Sequence, residues 1–304
     1  MTRDTPQLFD AGLIARRRDR ALSLGFCEGA DFLHRSAGES LVERLALVPR
    51  DFPRMVLAGA AAGAVPGMLA TRRGAAEAMV LERAPAMAQK SGAALWAGET
   101  LPVAPGAFDL AISSMLLHQL NDPVGHLIQL RHALRPDGLF LGVLPGGQTL
   151  NELRAALGQA EAEVTGGLSP RVSPMAEIRD LGGLLQRAGF ALPVADAETV
   201  SVTYQSPLHL MRDLRAMGET NALTARQRRP MRRAVLARAV ELYHQHFPAE
   251  GGGVRATFEL VFLTGWSPGP GQPEPLRPGS ATSRLADALG TFELPAGEKT
   301  PGTG

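Results

Sequence analysis

Arg54 to Gly67 read RMVLAGAAAGAVPG, and the parsing of the whole chain turns on this stretch. Met55 to Ala58 are apolar without interruption, so they suit a strand covered on both faces rather than one that is half exposed. The run stops at Gly59, continues through Ala60, Ala61 and Ala62 to Gly63, and then becomes compatible with a helix. In an open α/β sheet, ligands bind where such a strand hands over to its loop and helix. Glycine helps there because it lacks the Cβ that would hold a ligand away from the backbone. The spacing departs from the G-x-G-x-x-G of dinucleotide sites, and a tight strand–helix connection is the competing explanation.

Outward from this stretch, short apolar runs alternate with helical segments. AMVLE (78–82), AALWA (93–97), FDLAISS (108–114) and GLFLGVLP (138–145) are strand candidates. DPVGHLIQLRHALRPDG is a helix with Pro123 in its first turn, closed by a Pro136–Asp137–Gly138 turn. The alternation predicts a doubly wound, mostly parallel α/β sheet. After Pro145 the pattern becomes more helical, with strand regions at LPVADAETVSVTY and VRATFELVFLTGWSP. The second of these is expected to return to the sheet. The expected organisation is an N-terminal helical segment (1–50), a core (51–145), a helical elaboration with late strands (146–266) and a Pro- and Gly-rich flexible tail (267–304).

Composition narrows the partners. The 304 residues are 45% apolar and 20% charged, with a net charge of +1. Nothing in that balance calls for nucleic acid or an anionic membrane. Cys27 is the single cysteine, which excludes an intramolecular disulfide and a multi-cysteine metal site, and fits a reducing compartment. No apolar run approaches the roughly 20 residues of a membrane span. The N-terminus has no apolar signal-type core, and Asp4 and Asp10 argue against a mitochondrial presequence. The expected location is the bacterial cytoplasm, peripheral to the inner membrane through a client.

Three features carry candidate chemistry. Gly59 and Gly63 form the turn. Glu82 ends the second strand about twenty residues later, where a carboxylate can accept the hydroxyls of a ribose. Ser113 and Ser114 lie at the carboxyl end of the fourth strand, facing the same crevice, and His118 beyond them is a candidate for proton transfer. His244 and His246 sit two apart on a predicted helix, on different faces, so no metal site is expected there. The run RQRRPMRR reads as a solvated helix face. Serine-hydrolase, P-loop and H-E-x-x-H signatures are absent from the sequence.

These residues also carry a resemblance. A glycine loop after the first strand, an acid ending the second and FDL opening the fourth resemble a class I, Rossmann-like methyltransferase that uses S-adenosyl-L-methionine, which implies a seven-stranded sheet. LFD (8–10), FPRMVLAGAAAG, LPVAPGAFDLAISSMLLHQLNDP, LRPDGLFLGVLPGGQTLNELRAAL, GLSPRVSP, DLGGLLQRAGF, LMRDLRAMGETNAL and RPGSAT resemble a narrower family. It is that of the methyltransferase-like complex I assembly factor numbered five, an arginine hydroxylase. The resemblance implies S-adenosyl-L-methionine as cofactor and, as client, an iron–sulfur subunit of NADH:ubiquinone oxidoreductase. Against that family's D-L-G-C-G-x-G, Leu57 replaces the aspartate and Ala61 the middle glycine. Ala97 stands where a further acid is expected, with Glu99 two positions on. Each missing charged hydrogen bond would remove roughly 1.5–3 kcal/mol of cofactor affinity. The sequence shows no iron triad and no flavin site. Two alternatives stand beside the enzyme: a non-catalytic assembly chaperone with a degenerate cofactor site, and an O-methyltransferase like that of biotin synthesis.

Overall fold

The computed structural model describes residues 7–24, 26, 29–59, 64–70, 77–272 and 290–291. Gly63, with Ala60 to Ala62, and Cys27 lie outside the described residues, as does most of the segment expected to form the tail. The chain divides after Pro270.

The apolar runs become strands. β1 (Arg54–Ala58), β2 (Glu77–Glu82), β3 (Ala94–Leu95), β4 (Phe108–Ser114), β5 (Leu134–Pro145), β6 (Ala191–Tyr204) and β7 (Val254–Trp266) form one sheet in the order β3-β2-β1-β4-β5-β7-β6. β1 to β5 run parallel, while β7 is antiparallel to both β5 and β6. Continuous burial along β1, β4 and the second half of β5 matches their unbroken apolar sequence. β6 at the edge alternates exposed and half-buried residues.

Helices cover the sheet: α1 (Ala11–Ser23), α2 (Phe32–Ala46), α3 (Ala64–Ala70), α4 (Pro85–Ser91), α5 (Pro123–Ala133), α6 (Asn151–Thr165), α7 (Ile178–Arg187), α8 (Pro207–Ala216) and α9 (Arg233–His246). Two large apolar clusters fill the two sides. One joins α2, α6 and α9 to the sheet through residues such as Leu41, Tyr243 and Phe258; the other joins α5 and α7 through Leu127, Leu185 and Phe140.

Two expectations change at element ends. The Pro136–Asp137–Gly138 segment is not a turn closing a helix. α5 stops at Ala133, β5 begins at Leu134, and Asp137 takes a φ of 65° where the β4–β5 register shifts. The arginine-rich run does not open its helix either, because α9 starts at Arg233, after Pro230. Proline lacks the amide a helix interior needs.

Gly59 ends β1 with a φ of +80°. A Cβ there would sit 2.6 Å from the Ser114 carbonyl oxygen and 2.7 Å from the Leu116 Cβ. Both the backbone conformation and the close approach of β4 therefore demand glycine. Gly59→Ala should cost about 2 kcal/mol or more, read as a lower urea midpoint with an unchanged slope.

Candidate functional site

The crevice lies beyond the carboxyl ends of β1, β2 and β4. Glu82 closes β2, and its carboxylate is buried rather than open to solvent. Its Oε1 accepts the backbone amides of Arg83 (2.7 Å) and Ala84 (3.2 Å). Its Oε2 accepts Arg18 Nη2 from α1 at 3.2 Å, and both side chains are only 3% exposed. Asp19, the next residue of α1, accepts the amides of Ala86 (2.7 Å) and Met87 (3.2 Å) at the start of α4. That carboxylate serves the N-terminal amides that a helix leaves unpaired. Helix α1 is thus pinned across the end of β2 by two adjacent charges.

Ser113 and Ser114 are buried at the end of β4, beside Ala58. Ser113 Oγ has no hydrogen-bond partner, nor do Nε and Nη1 of Arg18. Unpaired buried donors are costly, and they mark where a polar occupant would be matched. Glu99 does not join this group: it is exposed in the loop after β3, and its charge acts on Arg83, which stacks over Trp96. Leu57 is fully buried within β1, in the core. Glu82, Arg18 and Ser113 fit the ribose and the charged tail of a nucleoside cofactor, while Leu57 offers it nothing polar.

A cavity of about 630 Å³ lies beside the crevice. Its walls come from stretches far apart in the chain. Phe9 N donates to Asn121 Oδ1 at 2.8 Å, and Asn121 Nδ2 donates back to the Phe9 carbonyl at 3.0 Å. Asp10 caps α1 through Leu13 N and pairs with Arg226. Asn221 Nδ2 donates to the Pro170 carbonyl at 2.6 Å, and Arg17 donates to the Asn221 carbonyl. Arg171 pairs with buried Glu161 at 2.6 Å. LFD, HQLND, GGQTLNEL, SPRVS and MGETNAL therefore converge on one cavity.

At its polar end stands Glu219. Helix α8 ends in a left-handed Gly218 (φ +80°), with Glu219 N donating to the Leu214 carbonyl and Gly218 N to that of Arg215. This is the Schellman arrangement. A Cβ on Gly218 would reach 3.2 Å from the Arg18 Cα, so glycine lets α8 press against α1 and brings Glu219 near Arg18. Glu219 Oε2 meets His118 Nε2 at 3.2 Å and accepts Gln119 Nε2. Burial alone would raise the carboxyl's pKa. The charge and hydrogen bond of His118, with Arg18, outweigh that and bring it down to about 2. His118 thus sits against a carboxylate, a partner the sequence left unassigned. Glu219 and Arg18 themselves escaped notice because each reads as an ordinary charge on a helix or loop.

The methyltransferase domain model matches residues 57–142. The arginine-hydroxylase NDUFAF5, mitochondrial, of Danio rerio is 34% identical over 294 residues, covering 94% of this chain and 91% of that protein. The chain belongs to the NDUFAF5 arginine-hydroxylase family. The NDUFAF5 of Homo sapiens is 34% identical over 304 residues, covering 97% of this chain and 88% of its own length. A malonyl-[acyl-carrier protein] O-methyltransferase of Methylovorus sp. is 33% identical over 285 residues, covering 88% of this chain and 92% of the relative. Among solved structures, a putative methyltransferase from Bacillus halodurans superposes with a TM-score of 0.52 at 11% identity, covering 75% of this chain and 98% of that one. The YcgJ protein of Bacillus subtilis does so with 0.53 at 13%, covering 76% and 98%. The fold of this chain is thus that of class I methyltransferases. The expected bacterial cytoplasmic location is corrected here: the NDUFAF5 relatives that match most of the chain carry the designation mitochondrial in their names. Among the described residues, no helix is long and apolar enough to cross a membrane.

Two buried histidines set a pH response. Burial lowers the pKa of His34 to about 4, against a smaller upward pull from Glu219, and burial beside Arg83 lowers that of His126 to about 3. Both stay neutral when folded, so below about pH 6.5 only the unfolded chain takes up these protons. Each should then remove about 1.4 kcal/mol of stability per pH unit as the pH falls toward these lowered values. Urea midpoints measured between about pH 7.5 and 5 should fall accordingly. His126→Phe, which keeps a ring stacked on Trp96, should flatten the slope.

Proposed function

We propose that this chain acts in the assembly of respiratory complex I by modifying an arginine of an iron–sulfur subunit. The observation that carries this is the convergence on one cavity of the motifs by which the chain resembles its family, beside a crevice suited to a nucleoside. Family membership over nearly the whole length supports it.

S-adenosyl-L-methionine, when bound, supplies a sulfonium with an electrophilic methyl carbon. Glu82 would accept one ribose hydroxyl with the lone pair that Arg18 and the two amides leave free on Oε2, since a carboxylate has about four acceptor sites. The unpaired Arg18 nitrogens would meet its carboxylate. Leu57 would weaken binding by the loss of one charged hydrogen bond, roughly tenfold or more. On the cavity side, His118 and Gln119 fix the Glu219 carboxylate and the apolar walls exclude water, while the neighbouring crevice would hold the cofactor. Hydroxylation inserts one oxygen atom and removes two electrons from the arginine, so this reaction requires a two-electron oxidant as co-reactant.

A second reading, methyl transfer to a carboxylate of a carrier-bound acid, is favoured by the exposed Arg215 and Arg228 at the cavity and by the O-methyltransferase relatives. Glu82 shapes the test, because removing it strands buried Arg18. Glu82→Ala would lose about 3–5 kcal/mol and unfold part of the chain, so the informative variant is Glu82→Gln, which keeps an oxygen acceptor for Arg18 and is compared at a temperature below its own thermal midpoint. Complex I purified from cells lacking the chain should carry an unmodified arginine where the wild type is heavier by one oxygen atom. Glu82→Gln should lose both S-adenosyl-L-methionine binding by calorimetry and that modification. Retained assembly without any modified arginine in the wild type would favour a chaperone, and methylation of an acyl-carrier substrate would favour the second reading.

A further inference from the structure

Two acceptors at the polar end of the cavity have no donor: Glu219 Oε1 and Gln119 Oε1 are buried without a hydrogen-bond partner. His118 Nδ1 beside them is unpaired as well. The three side chains touch one another and line one cavity. A buried carboxylate oxygen left unmatched is among the costlier defects a fold can carry.

The deficit specifies what would cure it. The occupant must bring several donors and must reach past apolar walls that include Ile14, Leu33, Leu153 and Phe258. An ammonium meets such a cluster as a point charge, whereas a guanidinium presents five donors in a planar fork at the end of an aliphatic stem. Arg215 and Arg228 are exposed where they line the cavity, so residues flanking the cation are best acidic.

We infer that Glu219, held by His118 and Gln119, is the receptor for the guanidinium of the client arginine, and that it selects arginine as the residue presented for modification. This rests on the arginine-modifying reading above. Gly218 serves the same end, since only a residue free to adopt a left-handed turn against α1 places Glu219 there. His118 acts through Glu219 as a positioning residue.

The test uses the full chain and a short acetylated peptide with one arginine between aspartates, compared with the same peptide carrying citrulline, its neutral isostere. Calorimetry should show the arginine peptide binding at least about tenfold more tightly than the citrulline peptide. Glu219→Gln, checked for an unchanged thermal midpoint, should reduce the arginine peptide to the citrulline level. Equal affinity of the two peptides for the wild type, or no binding of either at millimolar concentration, would overturn the inference, as would full discrimination by Glu219→Gln. Should that variant fold poorly, a photo-crosslinking group beside the arginine decides the matter on the wild type. Crosslinks within residues 115–121 or 214–221 support the assignment, and crosslinks elsewhere refute it. Failure of the function itself shows separately: it appears as a modified client arginine in cells lacking the chain, whatever the peptides do.

Discussion

The ion pair between Arg18 and Glu82 is the contact around which the crevice is arranged. Both groups are almost wholly buried, so neither can lose the other without leaving a charge in an apolar surrounding. Breaking such a pair from one side typically costs 3–5 kcal/mol. The pair fixes α1 over the end of β2. Helix α1 in turn offers its Arg17 and Arg18 backbone as the surface against which Gly218 packs, and Glu219 follows. One carboxylate at the crevice and one at the cavity are therefore tied to a single helix, with Arg18 acting electrostatically on both.

Much of the fold was legible because parallel strands buried on both faces write themselves as unbroken apolar runs. MVLA in β1 and DLAIS in β4 could hardly be anything else, and their spacing by helical segments gave the doubly wound sheet. Element ends were harder. The Asp137–Gly138 pair is typical of a turn, but the structure absorbs it as an irregularity at the start of β5. Pro230 delays α9 within a stretch whose composition is otherwise favourable to helix.

The site was only half legible. Glu82 stands out because an acid at the end of an apolar strand is conspicuous, and Gly59 because it breaks one. Glu99, which the family resemblance alone recommended, is exposed. Glu219 and Arg18 had no local signal, since each lies on a segment that already carries several charges. Their importance comes from burial, and that burial depends on partners 101 residues away for Glu219 and 64 for Arg18. Sequence spacing cannot report a carboxylate oxygen left without a donor; only the assembled neighbourhood does.

The clasp between Leu8 and Thr224, where Thr224 donates to carbonyls 216 and 217 residues earlier, has a consequence for the timing of folding. On a ribosome adding about 5–20 residues each second, some ten to forty seconds separate the emergence of the two halves of that contact. Through that interval, the wall of the cavity around Thr224 is missing for the leading segment to close upon. Long-range closures of this kind form slowly even in the finished chain. The parallel strands β1 to β5 can therefore pair before the cavity exists, and a nascent chain would carry the crevice without the cavity beside it.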